Sequence, residues 1–267
     1  MQSILEKATP ADVIAEPFPH LVLEEALDAG LYEELARQFP PAKVLVDGRE
    51  PASNAYYHFK ARRALGNPDV SPLWREFIAR HVGREFFRQA MALFGDHVRA
   101  LHPHLEERLG KRLEDVETSI RHVEEPRDVA LECQLTYCSP VASPSTSASP
   151  HVDREVALYA GLLYFRQEGD DSAGGDLELY RFQGDGGEPR EFRADRSVPE
   201  SCLEKRVTVP YRANTLVFFL HSPRSVHGVS PRSATPFPRL HVNFVAELRD
   251  KVFDLTSYRT PCRVAAG

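Results

Sequence analysis

"VALECQLTYC", residues 129–138, marks the point where the chain changes character. Upstream of about residue 125 the apolar residues recur at helical spacing. From 129 onward they fall in short β-rich runs separated by turn residues. The runs continue as "EVALYAGLLYFRQ" (155–167), "GDLELYRF" (175–182), "KRVTVPY" (205–211), "NTLVFFL" (214–220), "SVHGVS" (225–230) and "RLHVNFVAEL" (239–248).

A polar edge at 151–153 brings the total to about eight strands, the number of a jelly roll. The pattern therefore predicts an α+β chain with a double-stranded β-helix (jelly-roll, cupin-like) core, an architecture that can hold a site in its open mouth. The upstream half predicts helices. "LDAGLYEELARQFPP" (27–41) repeats Leu31, Leu35 and Phe39 at four-residue steps before Pro40-Pro41 stops it. In residues 71–110, Ser71 is a natural N-cap with Pro72 at the first helical position, Gly83 and Gly95 are expected breaks, and Gly110 closes the run. The expected organisation is a mainly helical region, 1–125, packed on the core, 126–267, as one integrated domain.

With 267 residues, 42% of them hydrophobic, the chain can bury a sizeable core. A net charge of −6 and the lack of a Lys/Arg stripe argue against nucleic acid as a partner. No run approaches the roughly eighteen apolar residues of a membrane span, and the N-terminus lacks a basic-then-apolar signal pattern, so a cytoplasmic protein is expected. Nothing in the composition speaks to oligomeric state. Cys133, Cys138, Cys202 and Cys262 fit neither a zinc knuckle nor a disulfide framework and read as reduced packing residues. Two loops stand out: the Ser/Pro-rich "SPVASPSTSASP" (139–150), expected to be a mobile cover over the site, and the polar, Gly-rich 183–201, expected to be a solvated loop.

The chemistry begins with "SPHVDRE" (149–155). Residues i and i+2 of a strand share a face, so His151 and Asp153 can offer an imidazole and a carboxylate to one point. The best third group is His227, after the apolar strand 214–220, with Gly228 leaving room beside it. Two histidines and one carboxylate form a facial triad that leaves three adjacent positions open. Structural zinc prefers closed sites with more sulfur, whereas open positions suit Fe(II) with a co-substrate and O2. His221, six residues earlier across a Pro-containing turn, is a rival that the spacing disfavours. His20, His58, His81, His97, His102, His104 and His122 read as surface or packing residues. A chelating 2-oxo acid would bury its far carboxylate, which needs a cation. Arg239, twelve residues after His227, opens a strand that points Arg239, His241 and Asn243 to one face. Arg224 and Arg232 are rivals in turn-like sequence.

In this order, "SPHVDRE", "GGDLELYRF", "NTLVFFLHSPRSVHGVSP" and "RLHVNFVAEL" resemble the Fe(II)/2-oxoglutarate-dependent oxygenases of the prolyl-hydroxylase-like group, over roughly residues 130–248. The opening "EPFPHLVLEEALDAGLYEELARQFP" (16–40) is similar to the N-terminal segment of many bacterial members. The resemblance implies His151, Asp153 and His227 as iron ligands, Arg239 as partner of the 2-oxoglutarate C5 carboxylate, and Tyr137 as a hydrogen-bonding group to the same co-substrate. It also implies hydroxylation coupled to conversion of 2-oxoglutarate and O2 to succinate and CO2. An Asp at 153 argues against a halogenase. The chain departs from the family in reading "YFR" (164–166) for "YLN" and in placing His241 where many relatives have Ser or Thr. The first reading of the substrate is a small molecule such as an amino acid, sugar or natural-product intermediate. The alternatives are a prolyl-type peptide or protein hydroxylase and a non-redox cupin-like metal-binding protein or isomerase.

Overall fold

The strands expected from residue 129 onward form where the alternation placed them: β4 (Val129–Cys138), β5 (Ala157–Tyr164), β6 (Leu177–Phe182), β7 (Leu203–Val209), β8 (Leu216–Leu220), β9 (His227–Val229) and β10 (Arg239–Leu248). Three short strands precede them, β1 (His20–Leu23), β2 (Tyr56–Phe59) and β3 (Thr118–Ile120). This is a computed structural model, and it describes residues 1–122 and 127–258. The large sheet runs β1-β8-β5-β10-β4-β2, with β3 parallel to β4, and the small sheet runs β7-β6-β9.

The two sheets pack through one apolar layer. Ala160, Leu162, Tyr164, Val217 and Phe219 of the large sheet meet Leu177, Leu179 and Val209 of the small one. The opposite face of the large sheet carries the helices α4 (Pro72–His81) and α5 (Arg84–Leu101). Trp74, Phe77, Phe86, Phe87 and Phe94 form one core with Leu131, Leu135, Phe218, Val242 and Phe244. Both faces of the central strands are thus covered, which explains why β5 and β8 are apolar along their whole length.

Helix α1 (Ala29–Arg37) stops before Pro40, and α4 begins as expected, with the Ser71 hydroxyl accepting from Trp74 N at 3.3 Å. Gly83 is the N-cap of α5, and Gly110, at φ +64°, ends α6 (Leu105–Leu109). Gly95 does not break the helix. It is buried in the middle of α5, where tertiary packing outweighs its poor propensity. Two short helices, α2 (Ala42–Leu45) and α3 (Ala61–Gly66), complete the described set.

The expected boundary at 125/126 falls on residues 123–126, outside the described residues. The upstream half also supplies sheet: β1 pairs with β8, and β2 and β3 pair with β4. The 139–150 loop is pinned rather than free. Val141 and Thr235 exchange backbone hydrogen bonds, as do Ser145 and Arg232, and Ala148 accepts from Val229 N. Residues 196–198 of the second loop bond back to Pro150 and Val152 and so flank the His-x-Asp edge. Cys133 and Cys138 are free and buried, but Cys202 is disulfide-bonded, correcting the expectation of reduced thiols. Cysteine usage therefore gives no argument for a reducing compartment. Cys262 lies outside the described residues. Among those described, no helix is long and apolar enough to cross a membrane.

Candidate metal centre

Backbone pairing brings the two histidines together before their side chains are considered. His151 and His227 exchange N–H···O bonds, both 2.9 Å, across an isolated antiparallel bridge. Their ring centroids stand 4.6 Å apart. Gly228 makes this approach possible, because a Cβ there would stand 3.1 Å from Pro150 N. The space it leaves is taken by the neighbouring backbone, not by the metal position.

Each ring has its Nδ1 against a carbonyl, His151 with Ser149 O at 2.7 Å and His227 with Ser225 O at 3.0 Å. A carbonyl only accepts, so both Nδ1 atoms carry the proton and both Nε2 lone pairs are left to bind. Asp153 follows two residues after His151, with Oδ1 3.7 Å from His151 Nε2. Ligand atoms of His151, Asp153 and His227 all lie within 4.8 Å of one another, a spacing that one ion can bridge. The Phe219 ring, 4.9 Å from that of His227, forms one wall.

The protonation preferences of Asp153 and His227 suit a cation. Burial opposes charge on Asp153, but the His151 and His221 imidazoles beside it favour the carboxylate and hold it well below the usual range. Burial, reinforced by the charge of His151, lowers His227 to about 3 and keeps it neutral. Burial would also lower His151, but the Asp153 carboxylate raises it above the ordinary imidazole value.

A second polar cluster lies on the inner face at the start of β10. Register pairs Arg239 with Cys138 and His241 with both Thr136 and Tyr164, so these residues share that face. Arg239 is 1% exposed. Its Nε donates to Gly175 O at 2.9 Å, and its guanidinium lies 5.0 Å from the Tyr164 ring and 5.1 Å from that of Tyr211. Gly174 and Gly175, both at φ +76°, carry the chain across at this point, and a Cβ on Gly174 would stand 1.9 Å from the Pro231 carbonyl oxygen.

Arg239 Nη2 and the Tyr164 hydroxyl are buried without partners. Orphaned buried donors are costly, and two beside one cation make a cradle suited to a carboxylate. His241 adds to it. Its Nδ1 is 3.3 Å from Arg239 Nη1, a donor, so its Nε2 carries the proton and donates to Tyr56 Oη at 3.0 Å. Burial and the adjacent Arg239 charge keep this imidazole neutral. The Tyr56 hydroxyl keeps its own proton, with the Cys138 sulfur as its neighbour.

The rival arginines are already engaged. Arg232 binds Asp170 Oδ2 at 2.7 Å, Ser172 Oγ and the Phe237 carbonyl, and Arg224 pairs with Glu188. Arg166 of the "YFR" departure is a structural clamp on the carbonyls of Asp170, Ser172 and Tyr211.

Tyr137 is not brought to the site. Register sets it opposite Leu240, one residue out of phase with Arg239, and its ring packs on the helical side, 6.3 Å from Tyr57. Tyr56, Tyr164 and His241, rather than Tyr137, lie beside Arg239. Alternation with Arg239 flags His241 in the sequence, but only strand pairing reveals the tyrosines.

Comparison with protein-family models and with curated proteins finds no match. Among solved structures, the chain is similar to a prolyl 4-hydroxylase from Pseudomonas putida (17% identity, TM-score 0.46, 86% of this chain and 93% of that one). It is also similar to the non-heme α-ketoglutarate-dependent epimerase SnoN of nogalamycin biosynthesis (16%, TM-score 0.46, 85% and 78%). A further match is HygX from Streptomyces hygroscopicus, solved with nickel and 2-oxoglutarate (13%, TM-score 0.41, 86% and 83%).

Proposed function

We propose that the chain is an Fe(II)- and 2-oxoglutarate-dependent dioxygenase that hydroxylates a small molecule at the mouth of a double-stranded β-helix. Strand placement supports that core. The 148–152 edge lies beside β9 and extends the small sheet, and the chain from β4 to β10 passes repeatedly between the two sheets.

One observation carries the functional reading: the inner side of the sheets bears two clusters of complementary chemistry. The triad offers two imidazole lone pairs and one carboxylate to a cation, and Arg239 Nη2 and the Tyr164 hydroxyl, with Tyr56 beside them, offer buried donors to an anion. A 2-oxo diacid has the groups to use both, chelating a metal at one end and presenting a carboxylate at the other.

In this reading His151, Asp153 and His227 hold the iron, which with 2-oxoglutarate and O2 supplies the oxidising chemistry. The protein's own work is orientation. The two serine carbonyls fix the imidazole tautomers, Arg239 neutralises the co-substrate's distal carboxylate, and Tyr164 and Tyr56 complete its hydrogen bonds. Phe219 helps keep water from the metal side. A non-redox cupin-like protein would have no need of the buried, unpaired donors at Arg239. The small-molecule reading draws support from the loop bonds. Beside the triad the edge of the small sheet is covered by the chain's own residues 141–151, so an extended peptide finds no free strand edge there.

Succinate release with Fe(II), 2-oxoglutarate and O2, screened against pools of small molecules and of peptides, tests this reading. Stimulation by a small-molecule pool is expected. Stimulation by peptides alone would replace the substrate assignment with a prolyl-type activity, and no iron-dependent succinate under any condition would contradict the enzyme class.

A further inference from the structure

His221, the rival third ligand of the sequence, stands behind the triad instead of in it. Alternation along β8 and one residue beyond puts Val217, Phe219 and His221 on the inner face, and His221 is fully buried. Its Nε2 is 3.2 Å from Asp153 Oδ2, while the other carboxylate oxygen, Oδ1, is the one near His151 Nε2. The two oxygens of Asp153 thus face different histidines. The His221 ring is placed from several sides. The His221 backbone N–H donates to Leu158 O at 2.9 Å, its backbone carbonyl accepts from His102 Nε2 at 2.9 Å, and Phe219 meets the ring edge-on at 5.3 Å.

Neither ring nitrogen makes a hydrogen bond of full geometry elsewhere. The 3.2 Å approach has the distance of such a bond but not yet its angle. A carboxylate turns easily about its terminal bond, and among the described residues no other group lies within hydrogen-bond reach of that nitrogen.

We propose that His221 is a positioning residue: with its proton on Nε2 it donates to Asp153 Oδ2 and turns the carboxylate so that Oδ1 alone faces the metal. The inference rests on the metal reading above. A carboxylate held in this way is a one-oxygen ligand, which leaves three adjacent positions for co-substrate and O2. Without the donor, Asp153 is free to rotate or to bind through both oxygens.

The test uses the full chain and anaerobic Fe(II) titration by calorimetry. His221→Leu fills the volume without a donor, and His221→Gln keeps an N–H donor of comparable reach. Removing an outer-shell partner of a metal ligand weakens binding roughly 10–100-fold, and that loss is expected for Leu, with recovery to within a few-fold of wild type for Gln. Wild-type affinity in the Leu variant, or a Gln variant as weak as Leu, overturns the inference. Imidazole NMR of Zn(II)-loaded wild type is independent of whether the variants fold. It should show His221 protonated at Nε2, and an unprotonated Nε2 there would equally overturn it. Failure of the wild-type chain to bind any divalent metal is a different result and would remove the metal reading itself.

Discussion

Asp153→Ala should abolish Fe(II) binding and all 2-oxoglutarate turnover while leaving the fold intact. Asp153 is the anionic member of a triad whose other two ligands are imidazoles, and it belongs to none of the apolar clusters, so no core packing depends on it. Its removal leaves a dication facing two uncharged nitrogens. Outer-shell losses alone cost roughly 10–100-fold in metal affinity, and loss of a direct anionic ligand should exceed that range. His227→Ala should behave alike, because its Nε2 cannot be replaced from the same strand. Calorimetric Fe(II) titration with circular dichroism as the control for folding checks both variants. Retained affinity in either would remove that residue from the ligand set.

Arg239→Met should leave Fe(II) affinity near wild type and sharply weaken 2-oxoglutarate. The guanidinium is buried among Tyr56, Cys138, Tyr164 and Tyr211, with no carboxylate in contact. Deleting one partner of a buried, hydrogen-bonded charge pair costs about 2–5 kcal/mol, which corresponds to a loss of roughly 30-fold or more in affinity. Methionine keeps the stem volume, so the effect reports the charge. Tyr164→Phe removes one hydrogen bond to the same carboxylate and should cost less. The thermal shift produced by saturating 2-oxoglutarate gives an independent reading, because a ligand stabilises only the folded state it binds. An undiminished shift in Arg239→Met would separate the arginine from the co-substrate.

The parts of this site that were legible in the sequence are those governed by short-range geometry. His151 and Asp153 share a face because a strand repeats every two residues, and the same alternation aligns Arg239 with His241. What was not legible depends on partners far along the chain. The resemblance implied Tyr137 and Arg239 on one co-substrate, but register pairs Arg239 with Cys138 and Tyr137 with Leu240, which sets the two on opposite faces. Tyr56 belongs to a four-residue strand whose place beside β4 has no local signature. His221 reads as a rival ligand by spacing alone, and its role emerges only from its approach to Asp153 Oδ2. Gly95 and the Ser/Pro-rich 139–150 loop show the same limit. Local propensity marked a break and a mobile cover, but core packing carries α5 through the first and backbone pairing with 229–235 holds the second.

In the proposed function one inner space joins a three-residue metal site to a carboxylate cradle. Anaerobic titration of the wild-type chain with Fe(II) and then 2-oxoglutarate tests it most directly. The predicted result is stoichiometric metal binding, followed by a visible charge-transfer band that grows with 2-oxoglutarate and saturates at one equivalent. Iron binding with no 2-oxoglutarate-dependent band, and no heat of co-substrate binding, would contradict it.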